Sequence, residues 1–230
     1  MEFLKNELFL IAITFGVYHL SKLLQKRTGW ILLNPILLSI ALIILFLKIV
    51  GIDYETYQEG GKYIEFWLKP AVVALGVPLY TQLQAIKKQV FPILLSQIAG
   101  CITGILSVVL IAKALGASKE VILSLASKSV TTPIAMETTR VIGGIPALTA
   151  AVVVCTGLLG AIIGFQVLRL GKVKSPIAQG LSMGTASHAV GTSAAMEVGN
   201  KYGAYASLGL TVNGILTATI TPYLIELLNL

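Results

Sequence analysis

The chain has 230 residues, 56% of them apolar and only 12% charged, against about 25% charged in an ordinary soluble domain. So few charges cannot clothe a soluble domain of this size, and a bilayer is the natural solvent for such a sequence. The 17 Lys+Arg outnumber the 10 Asp+Glu, but the basic residues sit in short loops between apolar runs, the pattern of cytoplasmic loops and not of a nucleic-acid surface.

Crossing about 30 Å of hydrocarbon takes roughly 20 apolar residues. Such runs lie at 8–24, 31–50, 64–82, 90–112, 145–168 and 203–228. The first is followed by Lys22, Lys26 and Arg27 and not by a small-residue cleavage site, so it reads as a span and not as a cleaved signal. His19, near its end, reads as interfacial. The loop with Asp53, Glu55, Glu59 and Glu65 against Lys62 fits the outside, and Lys87 and Lys88 then fall inside. Trp30, Tyr54, Tyr57, Tyr63, Phe66 and Trp67 read as interface anchors. Cys101 and Cys155 sit within apolar runs, which argues against a disulfide framework or a metal site. Gly100-x-x-x-Gly104 and Gly160-x-x-x-Gly164 allow close helix approach.

Two apolar stretches differ from the rest. Residues 121–139 and 176–200 are rich in small and hydroxylated residues and carry Lys128 and Glu137, then His188 and Glu197. Sliding the sequence by 60 residues aligns them without a gap. Ala126, Ser127, Val130, Thr132, Ala135, Met136, Glu137, Gly143, Leu148 and Val152 meet identical residues from Ala186 to Val212. If both stretches crossed the membrane, Arg169, Lys172 and Lys174 would lie outside, against the charge rule. If both turn back, that triplet and Lys201 fall inside, and the single crossing between the repeats inverts them. The expected fold is therefore all-α and integral to the membrane: six full transmembrane helices plus two re-entrant, broken helical hairpins in an inverted repeat, near 122–164 and 182–224. Eight spans, two of them broken, is the alternative.

Thr131-Thr132-Pro133 interrupts the first odd stretch, with Thr132 read as N-cap and Pro133 as the first helical residue. The bare N–H groups of such a half-helix favour an anion. Gly191-Thr192-Ser193 holds the matching place in the second stretch. Lys128 and His188 occupy equivalent repeat positions, and an ionisable group inside a membrane segment is a functional candidate. A snorkelling lysine and a satisfied packing histidine are the bland alternatives. Glu137 and Glu197, also repeat mates, either carry a proton or neutralise a cation, or else stabilise the first turns of the half-helices. Asn213 is a candidate lining residue. No serine–base pair, phosphate loop or metal-ligand spacing is visible, so neither an enzyme nor a cofactor is expected.

The residues also carry a family resemblance. Lys69 to Tyr80, Lys128-Ser129-Val130-Thr131-Thr132-Pro133-Ile134-Ala135-Met136, Ile142-Gly143-Gly144-Ile145-Pro146 and Gly184-Thr185-Ala186-Ser187-His188-Ala189-Val190-Gly191-Thr192 follow in order. They resemble the successive elements of the LrgB/CidB family. That resemblance implies a bacterial inner-membrane protein, often paired with a small LrgA/CidA-type subunit. It also implies kinship with the second half of the plastid glycolate/glycerate translocator.

Two functions follow as expectations. The first is a secondary transporter of small monocarboxylates of the pyruvate, glycolate or glycerate type. Lys128, Thr131, Thr132, Pro133, Ser187, His188, Gly191, Thr192, Ser193 and Asn213 would bind the substrate, with Glu137 and Glu197 as coupling candidates. The second is a holin- or antiholin-like regulator of murein hydrolase export and cell lysis. Residues 1–112 would form a scaffold with the contact for a homo-oligomer, and 121–230 a transport part.

Overall fold

A computed structural model describes residues 6–28, 33, 35–67, 70, 76–81 and 83–230. Among them the helices are α1 (Glu7–Thr28), α2 (Pro35–Val50), α3 (Tyr54–Phe66), α4 (Gly76–Thr81), α5 (Leu83–Lys87), α6 (Val90–Ala114), α7 (Lys119–Ala126), α8 (Thr132–Ile142), α9 (Pro146–Leu170), α10 (Pro176–Val198) and α11 (Asn200–Leu227). No strand occurs among the described residues.

Four of these, α1, α6, α9 and α11, are long and apolar enough to cross a membrane, and α2 is a shorter apolar helix. They leave large side chains bare, among them Phe15 and Leu20 on α1, Ile111 on α6, Leu159 and Val167 on α9 and Ile215 on α11. An apolar surface of that extent belongs against lipid, and the chain is a multi-pass membrane protein. The expected runs at 8–24, 90–112, 145–168 and 203–228 each fall on one helix, as does the run at 31–50 from Pro35 onward, residues 31, 32 and 34 lying outside the described residues. The run at 64–82 does not. Helix α3 ends at Phe66 and α4 spans only Gly76–Thr81, where Pro70 and Pro78 disfavour a continuous helix. Residues 68, 69, 71–75 and 82 of that run, and the anchor Trp30, lie outside the described residues.

Two compact units result, Met1–Ala74 and Leu75–Leu230. That boundary differs from the division at 112–121 drawn from polarity, because α6 packs with the later helices. In the first unit α1 packs on α2 and α3. Gly60 lets α3 approach so closely that a Cβ there would lie 3.0 Å from the Glu7 carbonyl oxygen. The Thr14 and Tyr57 hydroxyls bond at 2.9 Å across the same contact.

In the second unit the two odd stretches both fold back on themselves. Helices α7 and α8 are antiparallel. The Ser127 hydroxyl donates to the Ala135 carbonyl at 3.0 Å, and the Ile145 amide at the far end of α8 donates to the Ser124 hydroxyl at 2.7 Å. Gly143, at φ 83°, closes α8 as a left-handed C-terminal glycine. Helix α10 is broken at Ser187 (φ −132°, ψ 19°) and His188 (φ 42°, ψ −137°). Its arms then return on each other so tightly that a Cβ on Gly191 would fall 2.6 Å from the Met183 carbonyl oxygen.

The hairpins enter from opposite ends of the unit. Hairpin one (α7–α8) packs at the end where α6 and α11 finish, in a cluster of Ile105, Val109, Ile122, Leu123 and Ile225. Hairpin two (α10) starts at the opposite end, where Leu181 packs on Ile86, Ile93 and Tyr205. In lipid these seams are held by close packing of small residues: Gly180, Gly184, Gly203 and Gly209 leave no room for a side chain between α10 and α11.

Candidate functional site

The tip of hairpin one, the first arm of hairpin two, α6 and α11 surround a cavity of about 510 Å³, within the size range of small-molecule sites. Its walls include Gln97, Gly100 and Cys101 of α6, Lys128 and Ser129 of the tip, Thr185 of α10, and Asn213 and Thr217 of α11. Gln89, Pro92, Ser175 and Ile177 line it toward the end where α6 begins. That end of the second unit carries Lys87, Lys88, Arg169, Lys172, Lys174 and Lys201 against Glu197. The opposite end carries Lys113, Lys119 and Arg140 against Glu120, Glu137 and Glu226.

Within the cavity the Lys128 ammonium donates to the Ser129 hydroxyl at 2.9 Å and pairs with no carboxylate among the described residues. Asn213 is 2% exposed, and its amide donates to the Thr185 carbonyl at 3.0 Å. Its carbonyl oxygen Oδ1 is buried without a partner. An unmet acceptor of this kind costs about 1–3 kcal/mol unless something enters to donate to it. The Thr185 hydroxyl lies 2.8 Å from Gln97 Oε1 and 2.7 Å from the Leu181 carbonyl oxygen. The Cys101 thiol lies 3.4 Å from the Thr217 hydroxyl. One unpaired cation, one unmet acceptor and several hydroxyls can together hold a small anion that also offers a hydrogen-bond donor.

The other candidates lie elsewhere. Helix α8 begins one residue earlier than expected, with Thr131 as N-cap, Thr132 first and Pro133 second. The first i to i−4 bond runs from the Ala135 amide to the Thr131 carbonyl at 2.9 Å, and proline is tolerated anywhere in the first turn because its missing N–H would be unpaired there. Thr131, Thr132 and Pro133 do not line the cavity. The second break falls at Ser187–His188 and not at Gly191-Thr192-Ser193. Gly191 instead lets the arms touch, Thr192 donates to the His188 carbonyl at 2.8 Å, and Ser193 is exposed and back-bonds Ala189 at 3.1 Å. His188 turns away from the cavity. Its Nε2 donates to the Val153 carbonyl at 2.8 Å, which fixes the proton on Nε2, and its ring occupies the notch left by Gly157. The structure therefore does not bring Lys128 and His188 into one pocket. Glu137 is exposed and pairs with Arg140 at 2.5 Å, and Glu197 is exposed.

Gln97, Ser129, Cys101, Thr185 and Thr217 were not among the site residues read from the sequence. Gln97 carried a usable signal, as a lone amide amid an apolar run. Thr217 carried another, one turn from Asn213 on the same face.

A model described as LrgB-like family matches residues 14–227. The chain is 37% identical over 220 residues to "Holin-like protein CidB" of Staphylococcus aureus, covering 96% of each chain. The corresponding protein of Staphylococcus epidermidis is 36% identical over 218 residues, covering 95% of each. "Antiholin-like protein LrgB" of Bacillus cereus is 37% identical over 215 residues, covering 93% of this chain and 94% of its own. No solved structure matches.

Proposed function

The chain belongs to the LrgB-like family, and from that premise we propose that it is a holin- or antiholin-like regulator in a bacterial cytoplasmic membrane. The observation that carries this reading is the naming of relatives that match it over nearly their whole length. In this reading the protein governs murein hydrolase export and, through it, lysis, in concert with a small LrgA/CidA-type membrane subunit. Deleting the protein in its host and assaying murein hydrolase activity in the medium tests it. Altered activity that a plasmid copy restores is the result expected, and unchanged activity and lysis would overturn it.

A second reading is favoured by a specific observation, the Lys128–Asn213 cavity. A lesion needs self-assembling spans, and paired hairpins closing on a polar pocket supply nothing to it. They do suit a secondary transporter of small monocarboxylates of the pyruvate, glycolate or glycerate type, built on six full spans and two re-entrant hairpins. Lys128 would hold the carboxylate, and Asn213 Oδ1 would accept from a hydroxyl on the substrate or from a bound water. The second unit would supply the mobile part, and a homo-oligomer its scaffold. Purified protein in liposomes separates the readings. Saturable uptake of labelled pyruvate or glycolate without release of a trapped dye supports the carrier, and no uptake in sealed vesicles overturns it.

A further inference from the structure

The 60-residue register extends beyond the hairpins. Gly100, Ile102, Gly104 and Leu110 of α6 meet Gly160, Ile162, Gly164 and Leu170 of α9. Each hairpin is thus preceded by a helix carrying the same Gly-x-x-x-Gly pair, with Gly157 of the second repeat replaced by Gln97 in the first. In the second repeat the groove is filled: Ser187 at the hairpin tip sits on Gly160, Met183 on Gly164, and His188 on Gly157 with its ring bonded to the Val153 carbonyl. In the first repeat the equivalent groove is open. A Cβ on Gly104 would meet nothing within 4 Å. One on Gly100 would meet only the methyl of Thr185, at 3.4 Å. Both glycines instead line the cavity, together with Gln97, the mate of Gly157, and Lys128, the mate of His188.

Two copies of one motif therefore stand in two different conformations. We propose that the protein has a second state in which the repeats exchange these conformations. In that state the tip of hairpin one drops into the α6 groove. Ser127 then seats on Gly100, and Lys128 approaches the Ile93 carbonyl, the mate of Val153. The cavity that now opens toward Gln89 and Ser175 closes. Hairpin two leaves the α9 groove, and because the repeats are inverted the mate cavity, along Gly157, Gly160 and Gly164, opens toward the opposite end. The contact common to both packings is the tip serine on its groove glycine, Ser187 on Gly160 or Ser127 on Gly100, and two discrete packings of one motif are what a bistable element needs. Inverted repeats that trade conformations expose one site to the two membrane faces in turn. The proposal rests on the two hairpins being inverted, and not on which solute or protein passes.

A disulfide tests it, because it forms only when two Cα atoms come within about 7 Å. In a background with Cys101→Ser and Cys155→Ser, the Gly100→Cys/Ser127→Cys pair copies the Gly160–Ser187 contact onto the first repeat. No atom of Ser127 lies within 4 Å of a Cβ on Gly100 in this structure. The Gly100→Cys/Thr185→Cys pair, already adjacent, serves as the reference. Oxidation of membrane vesicles is expected to join both pairs, the reference at once and the test pair in time to near completion. Joining of the reference alone would overturn the second state. Failure of both would contradict the cavity and the proposal with it. Neither result depends on uptake or lysis, so this inference and the functional reading fail separately.

Discussion

Lys128 and His188 show how a shared repeat position leads to unlike roles. The lysine faces a cavity without a counter-charge, while the histidine is spent on one backbone carbonyl. Under the carrier reading, Lys128→Ala removes a charge-assisted hydrogen bond worth about 1.5–3 kcal/mol. Half-saturation for a small carboxylate should then rise roughly 10- to 100-fold, while the protein stays folded in the membrane. Unchanged uptake at low substrate would refute Lys128 as the anion's partner. At His188 the backbone lies at φ 42°, ψ −137°, a region costing a non-glycine residue on the order of 1–3 kcal/mol. His188→Ala loses the ring and keeps the strain, whereas His188→Gly loses the ring and relieves it. The glycine variant should melt higher in detergent than the alanine variant, and the reverse order would show that the backbone there is unstrained.

At the scale of elements, glycines report which seams are closed. Gly180 lies where a Cβ would come 2.5 Å from the Tyr202 carbonyl oxygen. Gly180→Ala should therefore destabilise by about 1–3 kcal/mol through overpacking. Gly104→Ala meets open space and should leave the melting temperature unchanged or raise it, since alanine is the better helix former by about 1 kcal/mol. Equal loss in both variants would mean that the α6 groove is filled. Much of this layout was legible beforehand. The composition, the Ala-Met-Glu repeat and the Lys172-side charge pointed to two odd elements, and both fold back as hairpins. Their turn points were less legible, because Ser, Thr, Gly and Pro occur on both sides of each break and only tertiary contact selects Ser187–His188 as the corner. The cavity wall was half legible. Lys128 and Asn213 stand out as polar groups in apolar runs, but Thr185 and Cys101 are unremarkable in sequence and acquire a role only where four elements converge.

At the scale of the whole molecule, kinship and geometry bear on different levels of function. Relatives named holin-like and antiholin-like describe a cellular outcome, while the hairpins and α6 enclose a cavity of small-molecule size. The two meet only if the hairpins enter from opposite faces of the bilayer. The charges favour that arrangement: the positive-inside rule predicts a cytoplasmic location for the end bearing Lys87, Lys88, Arg169, Lys172, Lys174 and Lys201. Ser118, in the exposed turn before hairpin one, and Lys172, in the exposed turn before hairpin two, mark the opposite ends. The direct measurement is labelling of Ser118→Cys and Lys172→Cys, each in the Cys101→Ser and Cys155→Ser background, with a membrane-impermeant thiol reagent. In intact cells Ser118→Cys should label and Lys172→Cys should resist, and inside-out vesicles should reverse the pattern. Labelling of both from the same side would contradict the inverted hairpins.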